Sequence, residues 1–174
     1  YCQFFSEIEK GFFLLDEMSR AEVVEFIKTQ QHKNGAFTDR AGNPDLYYSL
    51  FGGWLSKGLR LNEQQAKLKH YISTIQIDDK KVVDKFSLLL IWLSTEELNF
   101  KSPSFFELVR WLSQSGKNLN KAYRFFLFML SFDALFGKNK FIYFLVNIFL
   151  KFYKLPEELP CSFLSALLMA KFST

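Results

Sequence analysis

Apolar residues recur at helical spacing along almost the whole of this 174-residue chain. Apolar side chains that return every three or four positions share one face of an α-helix, whereas a half-buried strand alternates at every second position. Gly and Pro are scarce, at 8 and 4 residues, which argues against the many tight turns of an all-β sandwich. The pattern therefore predicts nine helices, over residues 4–18, 21–31, 45–59, 62–75, 82–95, 103–114, 120–136, 139–154 and 160–172.

Residues that cap helix N-termini mark several of the predicted helix starts. Ser19 and Asn62 are the expected caps of the second and fourth helices, and the third helix is expected to start at Asp45 or Pro44. Ser102 followed by Pro103 is a cap followed by a proline in the first helical turn, which is a frequent combination. The boundaries are therefore predicted from capping chemistry as well as from periodicity.

The predicted helices repeat at a near-constant interval. Every second helix starts about 40 residues after its counterpart, and two counterparts are alike as strings: DLYYSLFGGWLS begins at Asp45 and DKFSLLLIWLS at Asp84. Such a period is typical of helical-hairpin repeats. Charged helices such as 62–75 alternate with nearly uncharged ones such as 84–95, which predicts a solvent-exposed outer layer and a buried inner layer of helices. The predicted fold class is all-α, with tandem helical hairpins stacked in a single domain over residues 1–174.

Charge and cysteine content argue against several classes of protein. The 22 basic and 18 acidic residues give a net charge of +4 with both signs mixed along the chain, without the basic face or tail that nucleic-acid-binding proteins carry. Cys2 and Cys161 lie far apart without metal-type spacing, so we expect buried thiols instead of a disulfide framework. No charged segment precedes an apolar one in the manner of a signal peptide, so we expect a cytoplasmic protein.

The most apolar segment of the chain runs from Phe141 to Leu155. It is shorter than the roughly 20 residues that a spanning helix needs, and Asn147, Lys151 and Lys154 interrupt it. On a helix these polar residues form one narrow stripe. Two interpretations stay open: a helix buried between neighbours, and an apolar face in peripheral contact with a membrane or a partner protein.

The segment FIKTQQHKNGAF, from Phe26 to Phe37, is more specific than the rest. It resembles the Q-W-type repeat of the squalene cyclase and protein prenyltransferase superfamily, in which an aromatic-aliphatic pair is followed by Gln, a polar turn, Gly and an aromatic residue. The matching positions are Phe26, Gln31, Gly35 and Phe37. We expect a structural motif, since the Gln amide can meet free N–H groups at the next helix start, Gly permits a positive φ, and the ring fills the gap between hairpins. The resemblance implies an α/α toroid.

The catalytic residues of that superfamily do not carry over to this chain. Its alkene-protonating cyclases have an acidic D-x-D-D segment, which this sequence lacks. Its prenyltransferases hold zinc through an Asp, a Cys and a His, whereas His32 and His70 lie in a polar turn and in a charged helix. We therefore expect no catalytic residues of that type, no metal site and no cofactor. A closed ring of this type has more helices than the nine predicted, so we expect either a small toroid that closes differently or an incomplete toroid that a partner protein completes.

The predicted function is that of a prenyltransferase- or squalene-cyclase-repeat-like protein without catalysis, which acts as a scaffold or binds an apolar isoprenoid or acyl ligand. One alternative is a terpene cyclase or prenyltransferase-type enzyme with atypical residues. Another is a helical-repeat interaction module completed by a partner. The candidate ligand-lining residues, which would serve equally well as ordinary core, are Tyr48, Phe51, Trp54, Phe86, Trp92, Phe126 and Met129.

Overall fold

The computed structural model describes residues 2–77, 80–95, 102–114 and 121–137, together with residues 144 and 148. Within these residues the chain is helical, and strand pairing is limited to two isolated bridges. The all-α class is therefore confirmed for the described part. The predicted helix 160–172 and most of 139–154 lie outside it. The named helices are α1 (Cys2–Phe13), α2 (Glu17–Thr29), α3 (Leu46–Gly58), α4 (Asn62–Ser73), α5 (Val82–Thr95), α6 (Phe105–Gln114) and α7 (Lys121–Phe136).

The first helix is shorter than predicted because Asp16 caps α2. One carboxylate oxygen of Asp16 accepts the backbone N–H of Ser19 at 2.9 Å, and the other accepts the Ser19 hydroxyl at 2.9 Å. These hydrogen bonds from Ser19 lower the pKa of the Asp16 carboxyl. The prediction of Ser19 as the cap is therefore wrong, because Ser19 lies inside the first turn, where Asp16 satisfies its N–H.

The other predicted helix starts have three different outcomes. Asp45 stands at the start of α3, one of the two starts predicted, and it caps the helix by accepting the N–H of Tyr48 at 2.8 Å. Asn62 is the first residue of α4 instead of its cap, and the capping position is taken by a leucine without a side-chain hydrogen bond. The cap predicted at Ser102 is also wrong, because the hydrogen bonds that start α6 come from Ser104.

The start of α6 is a capping box. The Ser104 N–H donates to Glu107 Oε2 at 2.7 Å, and the Glu107 N–H donates to Ser104 Oγ at 3.3 Å. Two backbone donors that the helix would leave free are satisfied in this reciprocal way. Pro103 lies before the cap and is buried, as is Leu108 in the first turn of the helix, which is the placement expected of a hydrophobic staple.

The chain divides into two compact units, residues 1–100 and 101–174, and the single-domain prediction stays a prediction. In the first unit α3 is central: it packs most extensively against α5 and also contacts α1, α2 and α4. In the second unit α6 packs against α7. Phe105 of α6 lies 6.3 Å from the ring of Phe128 and 6.1 Å from that of Phe132, both in α7. Each unit therefore has its own apolar contacts.

The helices of the first unit differ in burial as their charge pattern predicts. Among the described residues, α2 buries Ile27 alone and α4 buries three side chains, whereas α3 and α5 each bury eight residues. The charged side chains of α2 and α4 therefore lie toward solvent and the core lies along α3 and α5. None of the seven described helices combines the length and the apolarity needed to cross a bilayer.

Two adjacent glycines let α3 approach its neighbours closely. A Cβ at Gly52 would overlap the ring of Phe37, and a Cβ at Gly53 would stand 2.6 Å from a methyl group of Leu68 in α4. The side-chain amide of Gln65 also reaches across and donates to the Gly53 carbonyl at 2.6 Å. Close packing of α3 against Phe37 of the preceding turn and against α4 thus accounts for two glycines in the middle of an α-helix, where each costs about 1 kcal/mol relative to alanine.

Candidate functional site

The connection between α2 and α3, residues 30–45, is a double turn. Antiparallel bridges join Gln31 to Phe37 and Thr38 to Pro44. Gly35 has a φ of +96°, a conformation that side chains with a Cβ rarely adopt. The chain therefore reverses direction twice before Asp45 starts α3, and the segment that resembles the Q-W repeat forms the first of these reversals.

Gln31 ties this turn to α4. Its side-chain Nε2 donates to the carbonyl of Gly35 at 3.0 Å and to the carbonyl of Gln64 at 2.9 Å. Gln64 lies in the first turn of α4, so the amide contacts the start of α4 and not the start of the next helix, α3. The amide donates to carbonyl oxygens where we expected it to meet free N–H groups. Its Oε1 is buried and has no hydrogen-bond partner among the described residues.

Gly35 and Phe37 of the same turn pack against α4 and α3, respectively. A Cβ at Gly35 would overlap the Lys67 carbonyl oxygen of α4. The N–H of Phe37 donates to Ser49 Oγ at 2.8 Å, and its buried ring lies on Gly52 in α3. These contacts are structural. Phe26, the first residue of the motif, does not join them, because its side chain is 61% exposed on α2.

Two of the candidate lining residues lie on the open face of α3. Tyr48, Phe51 and Leu55 follow one another at i, i+3 and i+7, and each is between 37% and 39% exposed. We call these three side chains the α3 stripe. Trp54 lies beside it: its ring is buried and makes an edge contact with Phe51 at 5.7 Å between centroids. A helix with buried residues around most of its circumference thus leaves one apolar stripe open to solvent.

The other candidate lining residues do not extend the stripe. Phe86 of α5 is fully buried in the first unit, and Trp92 of the same helix is half-buried. Met129 is fully buried in the second unit. Phe126 belongs to α7, and its side chain lies outside the described part. Because they are buried, Phe86 and Met129 are core side chains. Ordinary core was the alternative interpretation left open for all seven candidate lining residues.

An acidic cluster that the sequence reasoning missed lies at the start of α3 and α5. Burial, and then the charge of Asp45, raises the pKa of the Asp84 carboxyl, while Lys80 and Lys81 act against the rise. Burial, followed by Asp45 and Asp84, also raises the pKa of the Tyr71 hydroxyl. The two similar strings contained the signal, since Asp45 and Asp84 are their first residues.

The described residues contain no group of three or more His, Cys, Asp or Glu side chains arranged to hold a metal ion. A polar depression of about 680 Å³ opens beside the double turn, and its basic members Lys33 and Arg40 lie near the C-terminal end of α2. Cations at that end offset the carbonyl dipoles of the helix, which accounts for them structurally. The depression is lined by Thr29, Gln30, Gln31, His32, Lys33, Thr38, Asp39, Arg40 and Gly42.

Comparison of the chain with protein-family models, with curated proteins and with solved structures gives no match. The resemblance to the squalene cyclase and prenyltransferase superfamily stays a prediction based on Phe26, Gln31, Gly35 and Phe37.

Proposed function

We propose that this chain is a helical-hairpin-repeat protein of the α/α-toroid type that binds one apolar chain, isoprenoid or acyl, on the α3 stripe and does not transform it. The proposal includes the nine helices and the incomplete ring expected from the sequence. A cytoplasmic location, a partner that completes the ring and a peripheral membrane contact through Phe141 to Leu155 belong to the same proposal.

The α3 stripe is the observation that supports ligand binding. Seven residues of α-helix separate Tyr48 from Leu55, so the stripe is about 10 Å long, and Phe51 stands in its middle. Burial of apolar surface by a ligand contributes about 25 cal/mol of favourable binding free energy for each Å² that is removed from water. Aromatic side chains also have a large apolar surface and few rotatable bonds. A flexible hydrocarbon chain can pack against such a surface without hydrogen bonds.

Trp54 offers a spectroscopic reporter for the stripe. Its indole contacts Phe51, so a hydrocarbon that covers Phe51 changes the environment of the indole. We expect a dansylated farnesyl chain or a polyunsaturated fluorescent fatty acid to quench or shift tryptophan emission in a saturable way. Native mass spectrometry of the protein from its own host would show whether such a molecule is retained.

The decisive experiment compares Phe51→Ser with a matched control, Phe26→Ser. Both changes remove an exposed phenyl ring, but Phe26 lies on α2 and is not part of the stripe. Phe51→Ser removes one aromatic contact with the ligand and is expected to weaken binding about tenfold. Phe26→Ser is expected to leave binding unchanged. Equal affinity in the two variants, or no saturable binding by the unchanged protein, would refute the proposed function.

The acidic cluster favours a second candidate function, an enzyme of the terpene cyclase or prenyltransferase type with atypical residues. A carboxyl with a raised pKa, such as that of Asp84, holds its proton to higher pH and can act as a general acid. Product analysis after incubation with isoprenoid substrates tests this candidate. Turnover that is lost in Asp84→Asn would favour the enzyme over the binding protein.

A further inference from the structure

The tip of the α1–α2 hairpin exposes a cluster of large apolar side chains. Phe13, Leu14, Leu15 and Met18 are all exposed, with Leu14 at 87% and Met18 at 72%. The backbone there is ordered by hydrogen bonds to the end of α1: the N–H of Leu14 reaches Lys10 at 3.2 Å and that of Leu15 reaches Phe12 at 3.2 Å. A backbone held in this way keeps its path when a partner binds, which lowers the entropic cost of association.

Acidic side chains continue from this tip along α2. Glu22 and Glu25 follow Met18 at i+4 and i+7, so all three lie on one face of the helix. Both glutamates are exposed and, within the described residues, neither has an ion pair, and the same holds for Glu17 beside the tip. Residues 1–29 contain six carboxylates and three basic side chains, whereas the whole chain has a net charge of +4. The acidic excess is therefore local to this hairpin.

We propose that the α1–α2 tip and the adjoining acidic face of α2 bind a basic amphipathic helix of a partner protein. The apolar face of that helix covers Leu14 and Met18, and its Lys or Arg residues meet Glu22 and Glu25. Flexible methionine and leucine side chains adapt to helices of different sequence, and an amphipathic helix in an apolar contact is a recurring mode of recognition. The carboxylates of Glu22 and Glu25 argue against a membrane as the binding partner, since anionic lipid headgroups repel them. This surface is separate from the α3 stripe.

The test uses two fluorescent peptides of about 20 residues, the length at which such helices become stable. One peptide alternates Leu and Lys at amphipathic spacing, and the other has Glu in place of each Lys. The full chain is titrated with each peptide and fluorescence anisotropy is measured. We expect the Leu/Lys peptide to bind, more weakly as salt is added, and the Leu/Glu peptide not to bind.

Two double variants and one control locate the contact. We expect Leu14→Ser with Met18→Ser, and separately Glu22→Gln with Glu25→Gln, each to weaken Leu/Lys binding about tenfold or more. Both pairs change exposed side chains, so the fold is retained. Phe106→Ser, which removes an 81% exposed ring from α6, is expected to leave binding unchanged.

Several results would overturn the inference. The inference fails if the Leu/Lys peptide does not bind, or if both peptides bind equally well. It also fails if Phe106→Ser weakens binding as much as the two double variants do. Phosphatidylcholine–phosphatidylglycerol vesicles and analytical ultracentrifugation test the other occupants. Vesicle binding or self-association that disappears with Leu14→Ser and Met18→Ser, without peptide binding, would assign the tip to a lipid surface or to a second copy of this chain.

Discussion

Substituting Gly52 by Ala tests the contact that seats the double turn on α3. In most helices this change stabilises the protein by about 1 kcal/mol, because glycine is the poorer helix former. Here the new Cβ would overlap the ring of Phe37. The backbone of Phe37 is held by its 2.8 Å hydrogen bond to Ser49, so the ring cannot simply withdraw. Overpacking of this kind costs about 3 kcal/mol at the upper end, and we expect a net loss of about 2 kcal/mol.

A double-mutant cycle isolates this cause. When Phe37→Ala has removed the ring, Gly52→Ala has no steric cost left and is expected to stabilise the protein by about 1 kcal/mol, so its effect changes sign. Phe37→Leu gives a milder background, since removing the whole ring costs about 3–5 kcal/mol. Gly11→Ala in α1 is the control, because its Cβ would meet nothing within 4 Å.

Urea unfolding followed by far-ultraviolet circular dichroism measures all of these variants. Gly11→Ala is expected to be neutral or stabilising, by up to about 1 kcal/mol. The packing explanation fails if Gly52→Ala is as stable as the unchanged protein, or if it remains equally destabilising after Phe37 has been shortened.

Three further predictions concern single side chains. Because the folded-state pKa of Asp84 is raised, its ionisation destabilises the fold; Asp84→Asn should therefore raise the thermal midpoint at neutral pH, and the gain should vanish as pH falls toward 3.8, the ordinary pKa of the group. A gain that persists in acid would contradict the electrostatic cause. Ser104→Ala should cost about 1 kcal/mol in urea unfolding by removing the cap of α6, while Ser102→Ala, two residues earlier, should cost almost nothing. Gln31→Met should cost about 1–3 kcal/mol, because the Gly35 and Gln64 carbonyls lose its amide; an unchanged midpoint would show that the tie to α4 is dispensable.

Periodicity was sufficient to predict the all-α class and the approximate places of the seven described helices. Helical spacing of apolar residues is a local property, and it survives whatever the helices pack against. Caps were harder to predict because competing candidates lie within three residues of each other. Asp16 and Ser19 are both good capping residues, and only the path of the chain between α1 and α2 decides that Asp16 accepts the hydrogen bonds.

The amino-acid sequence by itself determined which segments become helices and which of those helices are charged. Tertiary structure decided which apolar side chains remain open, because burial depends on neighbours that are distant along the chain. Phe51 and Phe86 occur in similar strings, yet Phe51 is open on α3 and Phe86 is enclosed in α5. Packing also brought the starts of α3 and α5 together, so that the charge of Asp45 acts on Asp84. Local chemistry selects the helices, and the packing of the helices against one another selects their surfaces.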